Sequence, residues 1–287
     1  MKKPNIVLFI THDQGQLIGC YSDVNDNTVN TPNLDKISEN GVRFINHFST
    51  APQCSPSRGS LITSKYPHQN GLMGLTNNGW NLSKDEKTLP EYLKENGYTT
   101  HLLGFQHETK NPKELGYDTI SKRTNPLKYS IKFMEKKYFR FFEEHKEDEK
   151  PFFVCIGTPE VHRPYFLWGD AVNYKNVSVP PYLPDNKLIR QDLAELYGAI
   201  QKVDNTVGKL INWFKKNKLE DKTLFIYTTD HGIAYPNAKC TLYDPGIKTS
   251  LIMHWPKHFK HKKIKGMVSN IDLLPTILEL INADMPS

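Results

Sequence analysis

The 287-residue chain is short of several things, and each shortage excludes a class of protein. No run approaches the ~18 consecutive apolar residues that a membrane helix needs, so nothing is expected to span a bilayer. The four cysteines, Cys20, Cys54, Cys155 and Cys240, have no close or repeated spacing. That argues against a disulfide framework and against a C-x-x-C metal knuckle. Collagen and coiled-coil periodicities are missing as well. There is no Arg-rich arm, zinc-finger spacing or base-reading motif, so nucleic acid is not expected as a partner. Charge of one sign is barely in excess, 37 Lys+Arg against 31 Asp+Glu, a net +6 carried mostly by lysine. Clusters such as Lys136-Lys137, Lys215-Lys216 and Lys257 to Lys265 read as solvated surface, with a weak preference for anionic substrates as the remainder. Met1-Lys2-Lys3-Pro4 leads into only seven strand-like residues, too few for a signal peptide and without a small-residue cleavage site, so a cytoplasmic location is expected.

What is present is an ordinary globular composition, with aromatic and β-branched residues spread along the whole length, enough for one large core. Asn5 to Thr11 (NIVLFIT) is a continuous apolar run, as expected of a parallel strand buried on both faces. Thr31-Pro32 opens a helix, with Thr31 as N-cap, and Gly41 closes it. Leu89 to Asn96 repeats that pattern, with Gly97 beyond its end. Thr99 to Gly104, Pro151 to Gly157 and Thr223 to Thr229 are further strands, and Cys155 reads as a small core residue. Leu193, Leu196, Tyr197, Ile200, Val203, Val207, Leu210 and Ile211 mark one long amphipathic helix over roughly 190 to 216. Lys122 to Lys150 is read as helix and surface excursion, and Asn173 to Asn186 as a long ordered loop. Alternating strands and helices imply an α/β fold, a mainly parallel central sheet with helices on both faces.

Polar residues follow each strand. His12-Asp13 follow the first, Gln106 and His107 the second, Glu160 and His162 the third, and Asp230-His231-Gly232 the fourth. In open α/β sheets ligands bind outside the carboxyl ends of the strands, so these side chains are expected to converge. A lone Asp or His there is more often a cap or a surface residue. Four strand ends with the same chemistry point instead to a divalent cation, with Asp13 and Asp230 as oxygen donors and calcium or magnesium as the expected ion.

The densest signal is Gln53-Cys54-Ser55-Pro56-Ser57-Arg58-Gly59-Ser60-Leu61-Ile62-Thr63. It places a cysteine just ahead of a helix start, where an anion would feel the helix N-terminus and Arg58 could fork onto a tetrahedral oxyanion. Cys54-x-Pro56-Ser57-Arg58 resembles the sulfatase signature, in which the cysteine is oxidised to formylglycine. PNIVLFITHDQG, TPNLDKISENGVRF, YPHQNGL, FFVCIGTPEVHRPY and TTDHG fall in sulfatase order, so the resemblance spans nearly the entire chain. Within that family, CSPSRGSLITSKYPHQNGLMGL and DHGIAYPNAKCTLYDPGIKTSL are most similar to the N-sulfoglucosamine sulfohydrolase branch, the heparan N-sulfatases or sulfamidases.

The resemblance implies the alkaline phosphatase-like fold and a mechanism. A hydrated formylglycine presents two hydroxyls beside calcium; one attacks sulfur and the second expels sulfate. Cys54 would be the nucleophile precursor, lying beside the metal. His12, Asp13, Asp230 and His231 would surround the ion, with His231 where Asn is frequent. Arg58 would steady the formylglycine and the sulfuryl group, His107 would be the base, His162 would contact sulfate or protonate the leaving group, and Lys239 would bind the sulfate. Implied partners are a sulfated sugar or glycosaminoglycan fragment and a formylglycine-generating maturation enzyme.

Three departures from the family pattern stand out. His12 occupies a place usually held by Asp. Phe105 stands where Gly-Lys-x-His would place a lysine, a loss expected to cost ~10²-fold or more in rate. The third is length: the family's smaller C-terminal antiparallel domain is missing, so 1–287 is expected to be the N-terminal catalytic domain alone. The apolar helix Leu273 to Ile281 would then expose surface through which the chain could form a homodimer. Beside N-sulfate hydrolysis stand an O-sulfatase acting on a glycan or aryl ester, a phosphodiesterase or phosphonate monoester hydrolase, and a degenerate sulfatase that binds sulfated glycans without turnover.

Overall fold

A computed structural model describes residues 3–22, 29–121 and 125–284. Its frame is an eight-stranded sheet: β1 (Asn5–Thr11), β2 (Val42–Phe48), β3 (Thr99–Gly104), β4 (Thr119–Ile120), β5 (Phe152–Gly157), β6 (Thr223–Thr229), β7 (Lys248–His254) and β8 (Lys262–Ser269). The order is β4-β3-β5-β1-β6-β7-β2-β8. Every neighbouring pair is parallel except those of β7, which runs antiparallel to both β6 and β2. The four strands expected from apolar runs, β1, β3, β5 and β6, form the parallel centre.

Because successive strand side chains point to opposite faces, those apolar runs feed two cores at once. Val7 and Phe9 of β1, Val154 and Ile156 of β5, and Phe225 and Tyr227 of β6 face one core. The helices Ile131–His145 and Lys187–Lys216 cover it. Ile6, Leu8 and Ile10, Phe153 and Cys155, and Leu224 and Ile226 face the other. There they meet the helices Cys54–Thr63, Leu89–Glu95 and Leu273–Leu280. Cys155 is thus the core residue its surroundings implied.

Several local expectations change. The long helix starts three residues earlier than its apolar spacing indicated, where the Asn186 side chain accepts from the Ile189 amide. Thr31 precedes the helix Pro32–Glu39, but its hydroxyl receives the Gly19 amide rather than capping the helix. Of the stretch that begins at Lys122, residues 122–124 lie outside the described residues; Ile131–His145 is the expected helix. The Asn173 to Asn186 loop carries one 3-10 turn at Tyr174–Asn176 and a hydrogen-bonded turn from Pro180 to Leu183. The expected exposed face at Leu273 to Ile281 is not found: Leu273, Leu274, Ile277, Leu278 and Ile281 are all buried in the second core. Among the described residues no helix is long and apolar enough to cross a membrane.

Candidate active site and metal centre

The site lies at the carboxyl ends of β1, β3, β5 and β6. Immediately beyond β1 the chain turns through Asp13, whose φ of 53° is left-handed, a conformation Asp tolerates better than most side chains. The turn places the Asp13 amide 3.0 Å from Asp230 Oδ1, which also accepts the His231 amide at 2.9 Å. Beyond β3 and β5 the backbones come very close: Phe105 N–H donates to Gly157 O at 2.7 Å. A Cβ on Gly104 would stand 2.1 Å from that same oxygen, so glycine there is a requirement of close approach.

Four side chains form a buried cluster in which one donor atom from each lies within 4.8 Å of the others: His12, Asp13, Asp230 and His231. His12 Nδ1 is 2.6 Å from Asp13 Oδ1 and 3.5 Å from Asp230 Oδ2. His231 Nε2 is 3.1 Å from Asp13 Oδ1 and 3.8 Å from Asp230 Oδ1, yet has no partner in hydrogen-bonding geometry. Burial alone would lower both imidazoles, but Asp230 and Asp13 outweigh it and raise His12 to about 9 and His231 to about 10. Reciprocally, burial would raise both carboxyls, and the imidazoles hold them below the usual carboxylate range. Two buried carboxylates and an orphaned imidazole nitrogen fit a divalent cation.

Cys54 is the first residue of the helix Cys54–Thr63 rather than the residue ahead of it, and all ten residues of that helix are buried. Cys54 Sγ joins His12 and His107 in a second set of donor atoms within 4.8 Å. Burial would raise its thiol, but the neighbouring imidazoles of His107, His12 and His231 hold it down at about 3. One turn on, Arg58 is 1% exposed; its Nε donates to Asp230 Oδ2 at 2.9 Å and its Nη2 to Thr11 O at 3.1 Å. The helix is pinned from both sides, with Ser57 Oγ donating to Asp230 O and Asn270 Nδ2 donating to Ser57 O.

Lys239 Nζ donates to Asp13 Oδ2 at 2.6 Å, and burial of its ammonium is outweighed by that carboxylate, which raises its pKa. His162, partly exposed, stacks edge-on against His12 at 4.8 Å, and its Nδ1 donates to Arg163 O at 2.7 Å. Phe105 occupies the middle of the site, 5.4 Å from the His12 ring and 5.2 Å from that of His107, with the Arg58 guanidinium 5.5 Å from its centroid. An apolar ring therefore fills the place where the resemblance led to a lysine.

All the expected site residues converge, but two of the strand-end residues do not join them. Glu160 is buried facing away, accepting the Ile131 amide at 2.9 Å at the start of the helix Ile131–His145. Gln106 holds a turn, its Oε1 accepting the amides of Glu108 and Thr109. Sequence reasoning missed Asn77, whose Nδ2 lies 3.4 Å from His107 Nε2, because only the path of the chain after Thr63 brings it there. It also missed Arg163, although that residue directly follows His162. Arg163 donates to Ala234 O and pairs through two nitrogens with Asp192.

Residues 4–283 match the family model described as Sulfatase. Human N-sulphoglucosamine sulphohydrolase is 28% identical, over 99% of this chain and 62% of its own length. An ulvan-active sulfatase of Formosa agariphila is 30% identical, over 99% of this chain and 55% of its own. The chain therefore spans less than two thirds of the length of either relative. Among solved structures, the phosphonate monoester hydrolase of Silicibacter pomeroyi superposes with a TM-score of 0.81 at 20% identity, over 98% of this chain and 74% of that one. At that identity the likeness concerns the fold.

Proposed function

Since this chain belongs to the sulfatase family, we propose that it carries the catalytic site of a hydrolase that removes sulfate from a sulfated sugar, with the N-sulfate of glucosamine as first substrate. The observation that carries this reading is the placement of Cys54 at the start of a buried helix, one turn from Arg58 and against the carboxylate–imidazole cluster. The choice of an N-sulfated amino sugar is supported by the likeness to the human N-sulphoglucosamine sulphohydrolase and by the run Tyr235 to Gly246.

A formylglycine made from Cys54 and a divalent ion held by Asp13, Asp230, His12 and His231 would supply an oxygen nucleophile and Lewis acidity. The other side chains have separable tasks. Arg58 is a fixed positive charge, because Asp230 and Thr11 hold two of its nitrogens. Lys239, part-exposed and anchored on Asp13, is the cation that receives the sulfuryl oxygens. His107 lies beside Cys54 as the base, its Nε2 accepting from Asn77 Nδ2 at 3.4 Å. His162 has its Nδ1 proton committed to Arg163 O, so a charged ring would donate to the departing amine or alcohol from Nε2. Phe105 excludes water from the space between His12, His107 and Arg58, at the expense of one positive charge.

The test is expression with a formylglycine-generating enzyme, followed by peptide mass spectrometry and assays on N- and O-sulfated glucosamine. A loss of about 18 Da at Cys54, the change from thiol to aldehyde in this nucleophile class, should accompany sulfate release. Cys54→Ala should abolish that release. Fully converted protein that binds sugar without releasing sulfate would overturn the proposal in favour of binding alone. Faster cleavage of a phosphonate ester with the same leaving group would overturn it in favour of phosphonate hydrolysis.

A further inference from the structure

The donor set at the ends of β1 and β6 is poorly matched to calcium. Calcium takes about six to eight oxygen ligands. The cluster offers at most the four carboxylate oxygens of Asp13 and Asp230, and all four already face N–H donors, Asp13 Oδ1 that of His12 Nδ1 at 2.6 Å. Asp230 Oδ1 takes the Asp13 and His231 amides, Asp230 Oδ2 takes Arg58 Nε, and Asp13 Oδ2 takes Lys239 Nζ. The other two members of the set are imidazoles, whose nitrogens suit first-row transition metals.

His231 is built as a metal ligand. Its Nδ1 lies 2.9 Å from Gly232 O, and a carbonyl can only accept, so the proton sits on Nδ1. In the neutral ring Nε2 then carries a lone pair. That fully buried nitrogen faces Asp13 Oδ1 at 3.1 Å without hydrogen-bond geometry, and the proton that the two carboxylates favour there is the one a bound cation would displace. Fixing the second imidazole nitrogen on a backbone carbonyl is the usual support of a histidine that ligates through the first.

We propose that the His12, Asp13, Asp230 and His231 cluster selects a borderline transition-metal dication of the zinc class over calcium. The inference rests on the reading above that this site holds a divalent ion, and its test needs no turnover. Protein without a histidine tag is stripped with a chelator. Zinc and calcium binding are then measured by equilibrium dialysis with elemental analysis, and cobalt(II) binding by visible absorption. One zinc per chain is expected, bound at least about tenfold more tightly than calcium. Cobalt should show the visible bands of a low-coordinate nitrogen–oxygen site. His12→Asp and His231→Asn, which exchange nitrogen for oxygen donors, should each move the zinc-to-calcium ratio toward calcium by about tenfold. Thermal unfolding checks that each variant folds, and either one alone suffices.

Calcium bound as tightly as zinc by the wild type would overturn the proposal. So would zinc binding that both variants leave unchanged, since the ion would then sit on other histidines. Failure of sulfate release with the metal ratio intact would instead count against the hydrolase reading alone.

Discussion

Glu160 shows what a strand-end carboxyl becomes when it turns away from the site. Burial raises it from 4.5 to about 8, against backbone hydrogen bonds from its own amide and that of Ile131, which pull it down. The folded chain therefore keeps a proton that the unfolded chain releases. Stability from this group is full below about pH 4.5 and is lost as pH rises through about 8. Glu160→Gln mimics the protonated acid, since its oxygen can still accept the Ile131 amide. Its urea midpoint should fall less between pH 5 and pH 8 than that of the wild type; an identical fall in both would refute the assignment. The same residue marks a limit of sequence reading. Glu160 and His162 look equivalent after β5, and only the path of the chain sends one into the core and the other to the site.

Arg163 joins three elements that carry or support the site. Its Nε holds Ala234 O at 3.0 Å, on the loop that leads from β6 to Lys239, and its Nη1 holds Asp192 Oδ1 at 2.9 Å on the long helix. The guanidinium also lies 4.4 Å from the Tyr165 ring centroid and 4.8 Å from that of Tyr235. Because the backbone oxygen of Arg163 fixes His162 Nδ1, the clamp sets the spacing between His162 and Lys239. Arg163→Ala should reduce kcat/KM by about tenfold, with both parameters affected, since misplaced positioning groups lose orientation rather than chemistry. Arg163→Lys should recover little, because an ammonium cannot form the bidentate pair. Melting temperatures should change only slightly, as the ion pair is part-exposed. A large thermal loss with kinetics unchanged in the folded fraction would show a purely structural role. At this scale the parallel strands were legible and β2 was not. Its buried side carries Arg43, Ile45 and His47 while Val42, Phe44 and Phe48 lie on the half-buried side, so the apolar pattern points away from the face that is buried. The edge strand β8, rich in lysine and largely exposed, hides for the opposite reason.

Over the whole molecule, the sheet divides two cores, and the final helix belongs to one of them. Ile277 is fully buried beside Leu274 and Leu278, packed with the strands and the helix that bears Cys54. Ile277→Ala should therefore destabilise the chain by about 2–4 kcal/mol, with a cavity left in the core. Chemical denaturation measures this directly, and a change below about 1 kcal/mol would mean that the helix contributes surface instead.

The residues themselves determined the chemistry and the parallel centre. Apolar runs of strand length reveal β1, β3, β5 and β6, and the group Cys54, Arg58, Asp13 and Asp230 is recognisable from local order, because its neighbours in sequence are also its neighbours in function. Tertiary structure alone decided three things. It reversed β7 within the sheet and buried the helix Leu273–Leu280. It set Phe105 among His12, His107 and Arg58. It also spent all four carboxylate oxygens on N–H donors and left His231 Nε2 facing Asp13. Each depends on contacts between segments tens to hundreds of residues apart, whose energies arise only once the sheet has assembled, so no local pattern carries them.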